Sequence, residues 1–258
     1  MRTGNGRGGV VRGWVLVKGM KQDQRHWLGF QDRFAEELGT EVMCLDLPGA
    51  GTEVDNMPPR TVEAMAEDLR TRWLRQGGTP GEWGILGLSL GGMAAMAWAN
   101  QHPTDFQRVV IGNSSSRDSG APYERLSWRS WPKVLRTLVI KDDVAREEVV
   151  LTMTTSDASP ARRTEVAHAF ARLQREAPYN RQAFVRQLLA GSRFRAPRGL
   201  KPPVLVLNGQ GDTFVDPRCS ERLAAHLGAE FVRHPTAGHD LSLDAPDWLM
   251  ASVKAWVR

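Results

Sequence analysis

The chain has only two cysteines, Cys44 and Cys219. They are too few for a disulfide framework and lack the spacing of a metal-ligand cluster. Both read as free thiols of a reducing compartment, most simply as small buried hydrophobes. Long apolar runs are also missing. No stretch approaches the roughly 20 residues that cross a bilayer, and the apolar part of the Arg-bearing N-terminus suits a strand better than a signal peptide. The expectation is a soluble, cytoplasmic protein. Internal repeats, low-complexity tracts and dense basic runs are absent, so the net charge of +5 comes without a nucleic-acid-binding motif. The early GNGRGG (4–9) has no following Lys-Ser/Thr and precedes the first strand, which argues against a phosphate cradle.

What is present is alternation. Short β-branched runs exchange with amphipathic stretches, the pattern of a mostly parallel twisted sheet with helices on both faces, an α/β fold. Strands are predicted at 14–19, 41–49, 82–89, 108–114, 202–212 and 229–235. Helices are predicted at 23–38, 61–75, 91–101, 216–227 and 245–257. Between 114 and 200 the rhythm breaks into helical pieces around 131–140, 143–153, 162–176 and 181–190. A crossover between parallel strands needs only a dozen or more residues, so this segment reads as a helical cap (114–200) inserted in a core of 1–113 and 201–258. It carries 16 Lys and Arg against 9 Asp and Glu, a net +7 that leaves −2 for the rest of the chain.

At the end of the third predicted strand stands GLSLGG (87–92). Composition alone would produce G-x-S-x-G in about one chain in eight of this make-up, so its context decides. An apolar strand, WGIL, precedes it, and GMAAMAWA, rich in small and helix-forming residues, follows it. Ser89 thereby becomes a candidate nucleophile on a sharp strand-to-helix turn whose flanking positions have no room for side chains.

A serine hydroxyl needs a base to take its proton, and the base needs a carboxylate to hold its tautomer. Of six histidines, five fall on predicted helices, helix ends or a strand. His239, in the Gly-flanked loop PTAGHDLSL, is the best-placed base. Asp212 ends the preceding strand in VLVLNGQGD and is the favoured carboxylate. Asp216, before Pro217 and a helix, suits an N-cap better, and Asp240 is expected to cap the final helix. The order Ser89, Asp212, His239 matches this kind of elbow.

Through GLSLGG, LNGQGD, AGHD and DLPGAG (46–51), the sequence resembles the α/β-hydrolase fold family, of the capped single-domain serine esterase type, over nearly its whole length. The resemblance implies an oxyanion hole from the backbone N–H groups of Leu90 and Met20. The chain departs at VKGM, where Lys18 replaces the usual His-Gly pair and places an extra charge near the mouth of the site. A serine nucleophile argues against alkyl-enzyme chemistry and for ester cleavage through an acyl-enzyme, with no metal or organic cofactor required. A carbon–carbon bond hydrolase, a thioesterase, a cofactor-free lyase and a non-catalytic ligand receptor remain alternatives on the same fold.

In the cap, Trp128, Trp131, Leu135, Met153, Phe170 and Phe184 are candidates to line an acyl pocket, with packing between cap helices the competing reading. Arg162, Arg163, Arg172, Arg175, Arg181 and Arg186 form either a basic face or solvated helix surface. The similar esterases that act on methyl esters of acyl chains borne by an acidic carrier protein imply such a carrier as a candidate partner beside a small-molecule ester. Neither a nucleic acid nor a membrane span is expected.

Overall fold

The computed structural model describes residues 11–156, 160–178 and 180–258; the GNGRGG stretch lies outside them. Six strands form one sheet in the order β2-β1-β3-β4-β5-β6, and every neighbouring pair is parallel. They are β1 (Gly13–Val17), β2 (Glu41–Cys44), β3 (Trp83–Leu88), β4 (Phe106–Gly112), β5 (Val204–Gly209) and β6 (Glu230–His234). The helices are α1 (Phe30–Leu38), α2 (Val62–Arg75), α3 (Leu90–Gln101), α4 (Pro122–Arg125), α5 (Trp131–Val139), α6 (Asp143–Thr154), α7 (Pro160–Glu176), α8 (Arg181–Arg193), α9 (Pro217–Leu227), α10 (Leu241–Asp244) and α11 (Pro246–Val257).

Alternation along each strand divides the core between two faces. Val15, Val17, Ile85, Val109 and Val206 pack with α2, α3 and α9. Trp14, Leu16, Leu86, Val110 and Leu205 face the other way, onto Phe30, Phe34, Leu249 and Val253 of α1 and α11. Parallel register aligns the strand ends, pairing Val17 with Gly87, Leu88 with Gly112 and Gly209 with His234. The loops that leave these ends therefore share one rim of the sheet.

One predicted helix is broken. The stretch 23–38 forms a 3-10 turn, Gln24–Trp27, and then α1, because Leu28 (φ +50°) and Gly29 (φ +84°) both turn left-handed between them. The two short helices α4 and α10 have no counterpart among the predicted elements. A four-residue helix is barely one turn and leaves no periodicity to detect.

Candidate active site

Glycine shapes the turn at Ser89. This serine has φ +54° and ψ −117°, a backbone state that costs a residue with a side chain about 1–3 kcal/mol. A Cβ on Gly87 would lie 2.2 Å from the Gly91 carbonyl oxygen, and one on Gly91 would lie 2.3 Å from that of Val17. Both positions must stay bare for the turn to close and for α3 to lie against β1. The Ser89 N–H donates to the Gly112 carbonyl at 2.9 Å, and its carbonyl accepts from Ser114 Oγ at 2.7 Å. The serine is thus tied to the end of β4.

Asp212 and His239 leave the ends of β5 and β6. The His239 Nδ1 donates to Asp212 Oδ2 at 2.7 Å, both groups being buried. The other carboxylate oxygen accepts the N–H groups of Phe214 and Val215, each at 2.9 Å, so the carboxylate is held from both sides. Burial works against a charged imidazole. The Asp212 charge and hydrogen bond outweigh it, and the His239 pKa sits above the ordinary histidine value. Asp216 caps α9 by accepting the Arg218 N–H at 2.9 Å and also pairs with the Arg218 guanidinium. Among the described residues no hydrogen bond joins the Ser89 hydroxyl to His239.

Serine and histidine share a support that carries no recognisable motif. Asn113, fully buried with φ +44°, follows β4. Its Nδ2 donates to the carbonyls of Gly238 at 2.7 Å and His239 at 2.8 Å, while its Oδ1 accepts from Gly209 N at 2.9 Å and Asn208 Nδ2 at 3.0 Å. One side chain therefore pins the histidine loop to the strand end that leads to Asp212, and its chain neighbours Gly112 and Ser114 hold Ser89. Glycine would accept this backbone but could not supply the amide.

Two expectations are corrected at the loop after β1. Lys18 is not at a solvent-facing mouth. It is 2% exposed, with Nζ 3.0 Å from each carboxylate oxygen of Asp240 and 2.7 Å from Ser242 Oγ. Asp240 makes no side-chain cap to a helix; its second oxygen accepts from Gln22 Nε2 at 3.0 Å. Burial opposes its ionisation, but Lys18, Ser242 and Gln22 hold its pKa below the usual carboxylate range. This buried pair links the loop after β1, which carries Gly19 and Met20, to the residue beside His239. A Cβ on Gly19 would stand 3.2 Å from that of Ser89, so this loop abuts the serine. Met20 donates its N–H to no protein acceptor among the described residues, and Leu90 opens α3, where first-turn amides lack intrahelical partners.

The helices between β4 and β5 reach the same rim. Gln187 of α8 donates to the Pro48 carbonyl at 2.8 Å and accepts the Lys21 N–H at 3.4 Å. Thr154 accepts the Asp240 N–H at 2.8 Å, and Ser156 N donates to Asp244 at 2.7 Å. The six side chains expected at an acyl pocket do not share one environment. Trp128, Trp131 and Leu135 are 65%, 53% and 59% exposed. Phe170 packs between α6 and α7 with Leu151, Ala167 and Leu243. Met153 is buried, and Phe184 is half-buried with the Lys21 ammonium 5.8 Å from its ring centre. Nor are the six arginines one free face, since Arg175 pairs with Asp143 and Arg186 donates to the Pro58 carbonyl.

A model of the alpha/beta hydrolase fold matches residues 15–246. The chain belongs to the alpha/beta hydrolase fold family. Members similar to it include a pimeloyl-[acyl-carrier protein] methyl ester esterase of Nitrosomonas europaea, 26% identical over 98% of this chain and 96% of that protein. Another is the biotin biosynthesis bifunctional protein BioHC of Teredinibacter turnerae, 24% identical over 95% of this chain. The chain spans 44% of that protein's length. Among solved alpha/beta hydrolase-like structures, the enol-lactonase from Burkholderia xenovorans LB400 superimposes with a TM-score of 0.78 at 21% identity, covering 96% of this chain and 92% of that one. At that identity the likeness concerns the fold. No described helix is long and apolar enough to cross a membrane.

Proposed function

We propose that this alpha/beta hydrolase is a serine hydrolase that cleaves a carboxylic ester through an acyl-enzyme. Ser89 is the nucleophile, His239 the general base and acid, and Asp212 the carboxylate that holds the imidazole. His239 Nε2 takes the Ser89 proton as Oγ bonds to the ester carbon, and the oxyanion is held by the N–H groups of Leu90 and Met20. The carbon–oxygen bond to the leaving alcohol then breaks, with His239 returning the proton to that oxygen. Water repeats the sequence on the acyl-enzyme and frees Ser89. Removing one oxyanion donor typically costs about 3–4 kcal/mol of transition-state stabilisation.

The observation that carries this reading is the buried 2.7 Å His239–Asp212 contact at the same strand-end rim as the strained Ser89 turn. A hydroxyl on a strained strand-end turn and an imidazole fixed by a carboxylate at the same rim are the components that activate a serine. We read 114–200 as a cap on a core of 1–113 and 201–258, supported by its contacts with Pro48, Lys21, Asp240 and Asp244. The substrate class extended to this chain is an acyl ester. The carrier-borne methyl ester in the name of the Nitrosomonas europaea relative is the specific form to try.

The test is a panel of p-nitrophenyl esters, acyl methyl esters free and on a carrier protein, acyl thioesters and diketones, assayed with wild type beside Ser89→Ala. We expect ester turnover to fall by about 10³-fold or more in the variant. Unchanged turnover removes Ser89 from the chemistry, and turnover of thioesters or diketones alone reassigns the reaction on the same residues.

A further inference from the structure

The segment of α5 and the 3-10 turn before it, Trp128–Ser130, presents an apolar stripe to solvent. Trp128, Trp131, Leu135 and Val139 are 65%, 53%, 59% and 76% exposed. Within α5 the spacing of four residues puts Trp131, Leu135 and Val139 on one face, and Trp128 lies on the 3-10 turn that leads into it. Together they make a patch on the order of several hundred Å², large enough in a soluble chain to mark a contact surface. The same stretch, 128–141, carries Arg129, Lys133, Arg136 and Lys141 and no acidic residue. The carboxylates that follow directly in the chain are already used: Asp142 caps α6 through Ala145 N, and Asp143 pairs with Arg146 and Arg175.

We propose that this face docks on the surface of an anionic phospholipid bilayer, with α5 lying in the plane of the interface. Tryptophan suits that boundary because its ring is apolar and its N–H polar, and lysine and arginine stems reach from an apolar bed to charged headgroups. A second copy of the chain is disfavoured by charge, since two such faces would bring eight cations together. An acidic protein would answer the cations but leave two tryptophans, a leucine and a valine to be covered. The face is anchored to the site. Ser127 N–H donates to the Phe214 carbonyl at 2.9 Å and Ser130 Oγ to the Thr213 carbonyl at 3.0 Å, on the two residues after Asp212, and the Phe214 ring lies 5.0 Å from that of His239. Docking there would bring the strand-end rim to the lipid headgroups, whether or not the ester reading holds.

The experiment is sedimentation of the full chain with vesicles of phosphatidylcholine alone and with 30% phosphatidylserine, at low salt and in 0.5 M NaCl. It is run on wild type, Trp128→Ser/Trp131→Ser and Lys133→Glu/Arg136→Glu, each checked for native circular dichroism. All four positions are exposed, so the variants test the surface rather than the fold. We expect binding to the anionic vesicles only, lost in high salt, weakened about tenfold or more in the charge variant, given about fivefold per surface cation, and weakened about tenfold or more in the tryptophan variant through the apolar area withheld from the interface. Equal binding to both lipids, no binding, or variants that sediment like wild type overturns the proposal. So does salt-sensitive capture of an acidic carrier protein by this face in place of vesicles, or self-association that the tryptophan variant abolishes. Because the readout is binding, an inactive Ser89→Ala chain should sediment as wild type does, which separates this proposal from the hydrolase reading.

Discussion

Replacing Lys18 with methionine keeps most of the side chain's length and removes its charge, leaving the Asp240 carboxylate buried opposite an apolar neighbour. The partners are 2% and 4% exposed at the side chain and 3.0 Å apart. At an effective dielectric of about 20 their attraction is about 5–6 kcal/mol before desolvation is counted. Breaking a buried pair from one side usually costs about 3–5 kcal/mol. Gln22 and Ser242 still donate to Asp240, which points to the lower end. A loss of about 3 kcal/mol corresponds to a melting temperature about 6–12 °C lower for a chain of this size.

The pH dependence follows from the direction of the Asp240 shift. In the wild type its pKa is depressed, so its contribution is complete above the unfolded value of about 3.9 and lost as pH falls through the folded value. In Lys18→Met burial is no longer opposed by the ammonium. The carboxyl becomes easier to protonate, and the deficit should shrink as pH is lowered from 7 toward 4. The same change reaches His239, whose pKa Asp240 raises and Lys18 lowers, so over the pH range in which Asp240 stays ionised the acidic limb of turnover should move to higher pH. Denaturant unfolding of the single variants and of Lys18→Met/Asp240→Asn completes a cycle, with a coupling of about 2 kcal/mol or more expected. Additivity within about 0.5 kcal/mol would mean that the pair does not hold the two loops together.

Three other substitutions, at two residues, test the rest of the rim. Burial lowers the His239 pKa, and Asp212→Asn removes the two largest influences that oppose it, the charge and hydrogen bond of Asp212, leaving only the weaker one of Asp240. The acidic limb of kcat/KM should move to lower pH as kcat falls by about 100-fold or more, and a limb that stays put would detach Asp212 from the imidazole. Asn113→Gly accommodates the backbone but leaves the Gly238 and His239 carbonyls without their donor, so unfolding should show it at least about 1 kcal/mol below wild type. Asn113→Ala, which also strains the backbone, should lie lower still. Wild-type stability in the glycine variant would show that the four hydrogen bonds contribute nothing net.

Most of the layered fold is legible in the sequence because its signal is local. The valine and isoleucine run at β4, the valine and leucine run at β5 and the spacing of Phe30, Phe34 and Leu38 are short-range patterns set by which face is buried. The elbow is legible for the same reason, since Gly87, Ser89 and Gly91 fall within five residues. Asn113 was missed because its partners stand 95 to 126 positions away and no spacing rule connects them. Lys18 and Asp240, 222 positions apart, were each seen singly and misplaced, one at the mouth and one on a cap, because nothing local shows that a lysine at a strand end will be buried against an aspartate. Of the α5 stripe, Trp128, Trp131 and Leu135 allow two readings in the sequence, pocket lining or packing between cap helices, and the structure leaves all three exposed. Helical periodicity identifies an apolar face but not which way it turns once the helix is anchored through Ser127 and Ser130.

Backbone strain links these features. Among the described residues four that are not glycine take a positive φ: Lys21, Leu28, Ser89 and Asn113. Leu28 breaks a helix. The other three leave the ends of β1, β3 and β4, adjacent strands whose parallel register brings their termini to one rim. At about 1–3 kcal/mol apiece, that is about 3–9 kcal/mol of unfavourable backbone concentrated where the serine, the histidine support and the loop after β1 meet. A fold with stability of order 10 kcal/mol tolerates this only because the cores on both sheet faces overdetermine the strand positions. The hydrogen bonds of Asn113, the Lys18–Asp240 pair and the bare glycines at 87 and 91 then leave each strained residue one conformation. The rim is held by what lies behind it, so mutations at Asn113 or Lys18 should lower turnover without altering Ser89, Asp212 or His239.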